Sequence, residues 1–137
     1  MTDVLALVRT RLLALSAVSA LVATRVYSGL LPQNAPKPAV ALQLIAPEES
    51  SQLRGSGGLL ETTVQVHSVA ATRASALQLA DAIAGDGDGA ALSHFRGFIS
   101  GVFVHGILPT PIEREDYRGG DLNEYEVMRS YRVMVAR

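Results

Sequence analysis

Three prolines within seven residues, Pro32, Pro36 and Pro38, constrain this chain more than any other feature. Each fixes φ and lacks an amide hydrogen, so residues 32–38 should form neither ladder nor helix and should run as an extended connection. Apolar stretches suited to strands flank it at residues 25–27 and 39–45. Residues 24–45 therefore read as strand, proline loop, strand, an arrangement that fixes part of a topology and holds no catalytic motif.

The remaining periodicities complete a fold. Thr2 or Asp3 can cap a first helix whose Leu5, Val8, Leu12 and Leu15 follow one helical stripe. Ser16 and Ser19 interrupt it, leaving residues 17–21 as a second short turn, and Gly29 ends the first strand. Val40, Leu42 and Leu44 alternate with Ala41, Gln43 and Ile45, the pattern of a strand with one wetter face. Residues 47–58, with Glu48, Glu49, Ser50, Ser51 and three glycines, cannot bury enough apolar surface to offset ordering, and a loop mobile in the free subunit is expected. Leu60, Thr62, Val64 and Val66 then alternate with Glu61, Thr63, Gln65 and His67, the clearest strand of the chain, expected to be central and antiparallel.

Residues 71–84 predict a second helix, capped by Thr72, faced by Ala76, Leu77, Ala80, Ile83 and Ala84, and stopped by Gly85. Strand character returns at residues 101–108, where Pro109 and Pro111 are expected to break it, and again at 125–135. Gly119 and Gly120 between them signal the turn of a long hairpin. The whole predicts an α+β fold, a mostly antiparallel sheet of four to five strands with two main helices on one face.

With 137 residues the chain forms one domain, 1–137, able to bury a core without staples. It has no cysteine, which excludes disulfides, thiolate zinc sites and thiol catalysis. The net charge is −1, with eleven arginines and one lysine, so the sequence lacks the electrostatic footprint of a nucleic-acid binder. Asp3 precedes and Arg9 and Arg11 interrupt the apolar stretch 4–22, which reads as neither signal peptide nor membrane span; synthesis and retention in the cytoplasm is the expectation.

No motif for chemistry survives inspection. Asp86-Gly87-Asp88-Gly89 resembles the start of a calcium loop, but Ala90, Leu92 and Gly97 stand where further ligands are needed, which leaves a helix-terminating loop. Gly55-Ser56-Gly57-Gly58 precedes a strand and lacks the lysine of a phosphate cradle. His67, His94 and His105 are far apart in sequence, and Ser100 lacks the frame of a hydrolase nucleophile. Glu113, Glu115 and Asp116 are interleaved with Arg114 and Arg118, the pattern of a solvated or partner-facing hairpin.

Three blocks, in this order, resemble the tail-terminator or tail-completion proteins of long-tailed phages and gene-transfer-agent-like particles. The first holds Arg25, Val26, Tyr27, Gly29, Leu31, Pro32, Gln33, Pro38, Val40 and Gln43; the second is residues 57–83; the third, residues 113–133, is an acidic turn followed by Tyr125, Tyr131 and Val133. The resemblance brings no active-site residue and no cofactor. It implies a structural virion protein in the tail or neck, forming a homo-hexameric ring at the head-proximal end of the tail tube. That ring would stop tube polymerisation, bind the tail tube protein and present a surface to the head-completion or connector protein, while DNA passes through its lumen without specific binding. Pro32, Gln33, Asn34, Arg54, Gly57, Arg114, Tyr117 and Arg118 are the expected contacts with partners or neighbouring copies. The six acidic residues against two arginines in residues 113–126 would suit a channel lining that does not attract phosphates. The competing readings are a small hydrolase using His67 or His105 with a carboxylate from residues 113–116, a small-molecule-binding regulatory α+β module, and another neck or minor tail protein.

Overall fold

In the computed structural model, which describes residues 3–45, 59–120 and 123–136, the described residues form three helices and six strands. They are α1 (Val4–Ala14), α2 (Ser16–Val22), β1 (Val26–Ser28), β2 (Ala39–Leu44), β3 (Leu59–Ala70), α3 (Arg73–Ala84), β4 (Phe95–Ile99), β5 (Val102–Arg118) and β6 (Glu124–Ala136). One curled sheet contains every strand in the order β1-β2-β3-β6-β5-β4, antiparallel except where β1 lies parallel to β2. The α+β class is as expected. The expected four to five strands and two helices become six and three.

The caps act where the sequence places them. The Ala6 amide donates to Asp3 Oδ1 at 3.1 Å, and the Ser75 amide donates to Thr72 Oγ1 at 3.1 Å, so each long helix has an orphan N–H satisfied at its start. Val4, Leu7, Val8 and Leu12 form the buried face of α1, whereas Leu5 and Leu15 of the expected stripe are only partly buried. Leu15 is extended and serves as the joint at which α1 and α2 bend by 91°. In α3 the buried residues are Ala76, Leu79, Ala80 and Ile83, with Leu79 in the place assigned to Leu77 and Ala84. The two alanines let α3 approach Ala70 and Val127 of the sheet closely. No single helix among the described residues is long and apolar enough to cross a membrane.

Register decides which side chains meet the helices. Val64 lies opposite Tyr131, Thr62 opposite Val133 and Ser68 opposite Val127, so the even positions of β3 and the odd positions of β6 share the covered face. Val64, Tyr131 and Val133 join Val26, Val40 and Leu42 from the sheet and Leu12, Val18, Val22, Leu79 and Ile83 from the helices in one core. α1 lies in the concavity, against β1 and β2 and also against β4. Two arginines tie it to both sides. Arg9 Nε donates to Val26 O at 2.7 Å, while Arg11 Nη2 donates to Ala90 O at 2.7 Å and its guanidinium lies 4.0 Å from the Phe95 ring centroid.

Two expectations about proline need correction. Residues 32–38 do avoid helix and ladder, yet they are not extended throughout: the Ala35 amide donates to Pro32 O at 3.1 Å, and Asn34 has φ 63. Asparagine tolerates that left-handed turn position. Pro109 and Pro111 do not end a strand, because β5 runs on to Arg118. β4 pairs with β5 only as far as Ile107, so beyond it the outer margin of β5 needs no amide donor, and the ladder to β6 shifts between Pro109 and Glu113. β4 itself was not foreseen; it is joined to β5 by the two-residue turn Ser100-Gly101, with φ 51 and 81. The expected mobile loop at residues 47–58 lies outside the described residues.

Candidate assembly surfaces

The long β5–β6 hairpin expected from Gly119 and Gly120 is present, with Arg118 paired to Glu124 at its end. Tyr117 is 60% exposed near the tip, its ring centroid 6.0 Å from that of Tyr125, and its hydroxyl donates to Asn123 Oδ1 at 3.4 Å. Arg114 and Arg118 are exposed as well. Arg114 pairs with Asp116 at 3.0 Å along its own strand. Arg118 reaches Glu124 at 3.2 Å and Glu126 at 3.4 Å.

Pro32, Gln33 and Asn34 are exposed on the connection between β1 and β2. Lys37, later in that connection, approaches Glu124 at 3.7 Å, and Arg25 Nε donates to Pro38 O at 2.9 Å. Two segments far apart in sequence thus meet at one end of the sheet through Lys37, Glu124 and Arg118. Arg54 and Gly57 lie outside the described residues.

The carboxylates of the hairpin are less free than their sequence pattern implies. Glu113 pairs with Arg129 at 2.8 Å, and Arg129 also holds Asp81 of α3 at 3.0 Å. Glu115 accepts from Arg73 at 2.8 Å and from the Tyr125 hydroxyl at 3.1 Å, which together hold its carboxyl below the usual range. These pairs tie β5 to α3 and partly neutralise the stretch expected to be acidic.

His67 and Glu126 lie on the face of the sheet away from the helices, 2.9 Å apart. His67 Nδ1 meets Glu126 Oε2 and its Nε2 faces Gln65 Oε1 at 3.2 Å, so both ring nitrogens are engaged. That corrects the hydrolase reading. Histidine meets a carboxylate from β6, not one from residues 113–116, and neither nitrogen is left for a substrate proton. His105 stacks edge-on against Phe103, and His94 contacts Ser93 Oγ, so the three histidines do not converge. Among the described residues no cluster of three or more His, Asp or Glu could hold a metal. In the loop at residues 86–91 the guanidinium of Arg11 donates to the carbonyls of Gly89, Ala90 and Ala91, and the Ala90 amide donates to Asp88 Oδ1 at 3.0 Å.

The His67 hydrogen bond is the main influence holding the Glu126 carboxyl below its ordinary value, against burial, with Arg118 assisting. A carboxyl depressed in the folded state adds stability above its unfolded pKa of about 4.3 and loses it as pH falls through the lower folded value. Glu126→Gln should therefore cost about 1.5–3 kcal/mol at neutral pH and progressively less in acid, as the wild type itself becomes protonated. Denaturant melts of both proteins from neutral to acid pH would measure this. Parallel curves at all pH values would show that Glu126 is not held in this way.

Sequence reasoning missed a second surface. Phe98 is 72% exposed on β4, its ring 5.0 Å from that of Phe103, and Arg96 lies over Phe103 at 5.0 Å. Two of the three phenylalanines therefore lie outside the buried core. The signal was available in the spacing of Arg96, Phe98, Phe103 and His105 about the Ser100-Gly101 turn, once that turn is read as a hairpin.

A family model described as tail completion protein gp17 matches residues 6–127. Among solved structures, a chain from the virion of a native gene transfer agent particle is similar at a TM-score of 0.69 and 19% identity, covering 96% of this chain and 92% of that one. At that identity the likeness concerns the fold. No curated protein matches the sequence.

Proposed function

Because the chain belongs to the tail completion protein gp17 family, we propose that it closes the tail as a ring of six copies at the head-proximal end of the tail tube. There it stops tube growth and presents a docking surface to the head connector. A tail completion protein is a structural component of the virion tail, and the single observation carrying this reading is the family match over residues 6–127, which extends from α1 into β6. The arrangement of groups supports docking over catalysis, since His67 is bound to Glu126, Glu113 to Arg129 and Glu115 to Arg73. A net charge of −1 suits a lumen that DNA crosses without being held.

Light scattering of the purified protein, alone and with tail tubes, tests the ring. A hexamer in either condition supports it; a strict monomer that also fails to bind tubes would remove it. The hairpin tip gives a sharper test. Tyr117 is exposed and amphipathic, so Tyr117→Ala should leave the melting temperature nearly unchanged while weakening assembly. If the side chain were a core element its truncation would cost roughly 3–5 kcal/mol, and a large drop in melting temperature would refute a docking role.

A further inference from the structure

Among the described residues the outer margins of β1, of β4, and of β5 past Ile107 have no strand beyond them. Such margins present unpaired peptide groups that proteins either block or use for pairing with another chain. β1 is blocked. It is only three residues long, and the carbonyl of Val26 that points away from β2 is taken by Arg9 at 2.7 Å.

The other two differ from each other in complementary ways. β4 carries Arg96 and no acidic residue, and among the described residues Arg96 has no carboxylate partner. The β5 margin at residues 112–118 carries Glu113, Glu115 and Asp116 against Arg114 and Arg118, an excess of one negative charge, with Glu113 paired to Arg129, Glu115 to Arg73 and Asp116 to Arg114. Each also exposes apolar surface, Phe98 at 72% on β4, and Ile112 at 59% and Tyr117 at 60% on β5. Two β5 margins facing each other would give a two-fold dimer, which closes no ring. One margin of each kind gives a heterologous contact, and heterologous contacts are what rings require.

We propose that β4 of one copy pairs along residues 112–118 of β5 in the next copy, extending the sheet from subunit to subunit. This rests on the ring reading above and names the surfaces that build it. Backbone pairing supplies the affinity, Arg96 against the one excess carboxylate of that margin sets orientation, and Phe98 covers Ile112.

The cysteine-free chain permits a direct test. Phe98 lies opposite Phe103, and nine residues of strand separate Phe103 from Ile112. That is roughly 30 Å, well beyond disulfide reach, so a link between these positions must join two copies. Phe98→Cys mixed with Ile112→Cys and gently oxidised should give dimers holding one of each chain, and the double variant should give a ladder ending at the ring. Arg114→Cys and Asp116→Cys, each paired with Phe98→Cys, cover the neighbouring registers. If the wild type forms a ring yet no pairing with Phe98→Cys cross-links above the single variants, the contact is wrong and the ring reading stands. If the wild type is monomeric both alone and on tubes, both fall. Arg96→Glu should raise the concentration needed for assembly at least tenfold at low salt, roughly the scale of a lost interfacial charge, with the melting temperature unchanged. Unaltered assembly would count against the charge pairing and overturn it.

Discussion

Particles made without this protein are expected to carry tails of uncontrolled length, or tails that never join heads, while their capsids still fill with DNA. The expectation follows from membership of the tail completion family together with the proposed ring. A growing tube presents the same surface to each added subunit, so length is not self-limiting; a cap must present a different outer face. A chain whose sheet margins differ in charge and length can form such a cap by pairing with itself sideways while leaving its ends for other partners. Electron microscopy of particles from a deletion strain decides the point. Normal-length tails attached to heads would remove the terminator role. Normal-length tails lying free would instead restrict the protein to joining tail and head.

Much of this architecture was legible from local signals because those signals act locally. Asp3 and Thr72 cap helices through their own nearby amides, and the alternation around Thr62, Val64 and Val66 needs only one covered face. Signals that depend on distant partners were misread. Pro109 and Pro111 look like breakers until the pairing of β4 with β5 is known to end at Ile107, which turns their positions into a margin where a missing N–H costs nothing. Leu7 and Leu79 are buried because α1 and α3 sit in a curled sheet, a shape that no single helix period reveals.

The candidate surfaces divide in the same way. Exposure at Pro32, Gln33, Asn34, Arg114, Tyr117 and Arg118 could be foreseen, since turn residues and interleaved charges favour solvent. Their connection through Lys37 and Glu124 could not, because it depends on where β2 and β6 come to lie beside β3. Nor could the pairing of His67 with Glu126, which are 59 residues apart in sequence and side by side only through register.

The largest effect expected of a single side chain on folding is at Leu12. It is 0% exposed, and it lies in the helix that packs on β1, β2 and β4 at once. Leu12→Ala removes apolar atoms and leaves a cavity, and buried leucine truncations cost about 2–5 kcal/mol. The upper part of that range is expected here. A site collapses only if its walls can move inward, and α1 is held toward both sides of the sheet by Arg9 at Val26 O and Arg11 at Ala90 O. The helix therefore cannot shift toward one wall without drawing away from the other. Against a typical domain stability of roughly 5–15 kcal/mol the loss would be a large share of the whole. Denaturant unfolding should show a lower midpoint with little change in slope, and any assembly defect should scale with the unfolded fraction, unlike that of Tyr117→Ala. A cost below about 1 kcal/mol would mean that Leu12 is not enclosed between helix and sheet, and the strapped, curled arrangement of α1 would have to be abandoned.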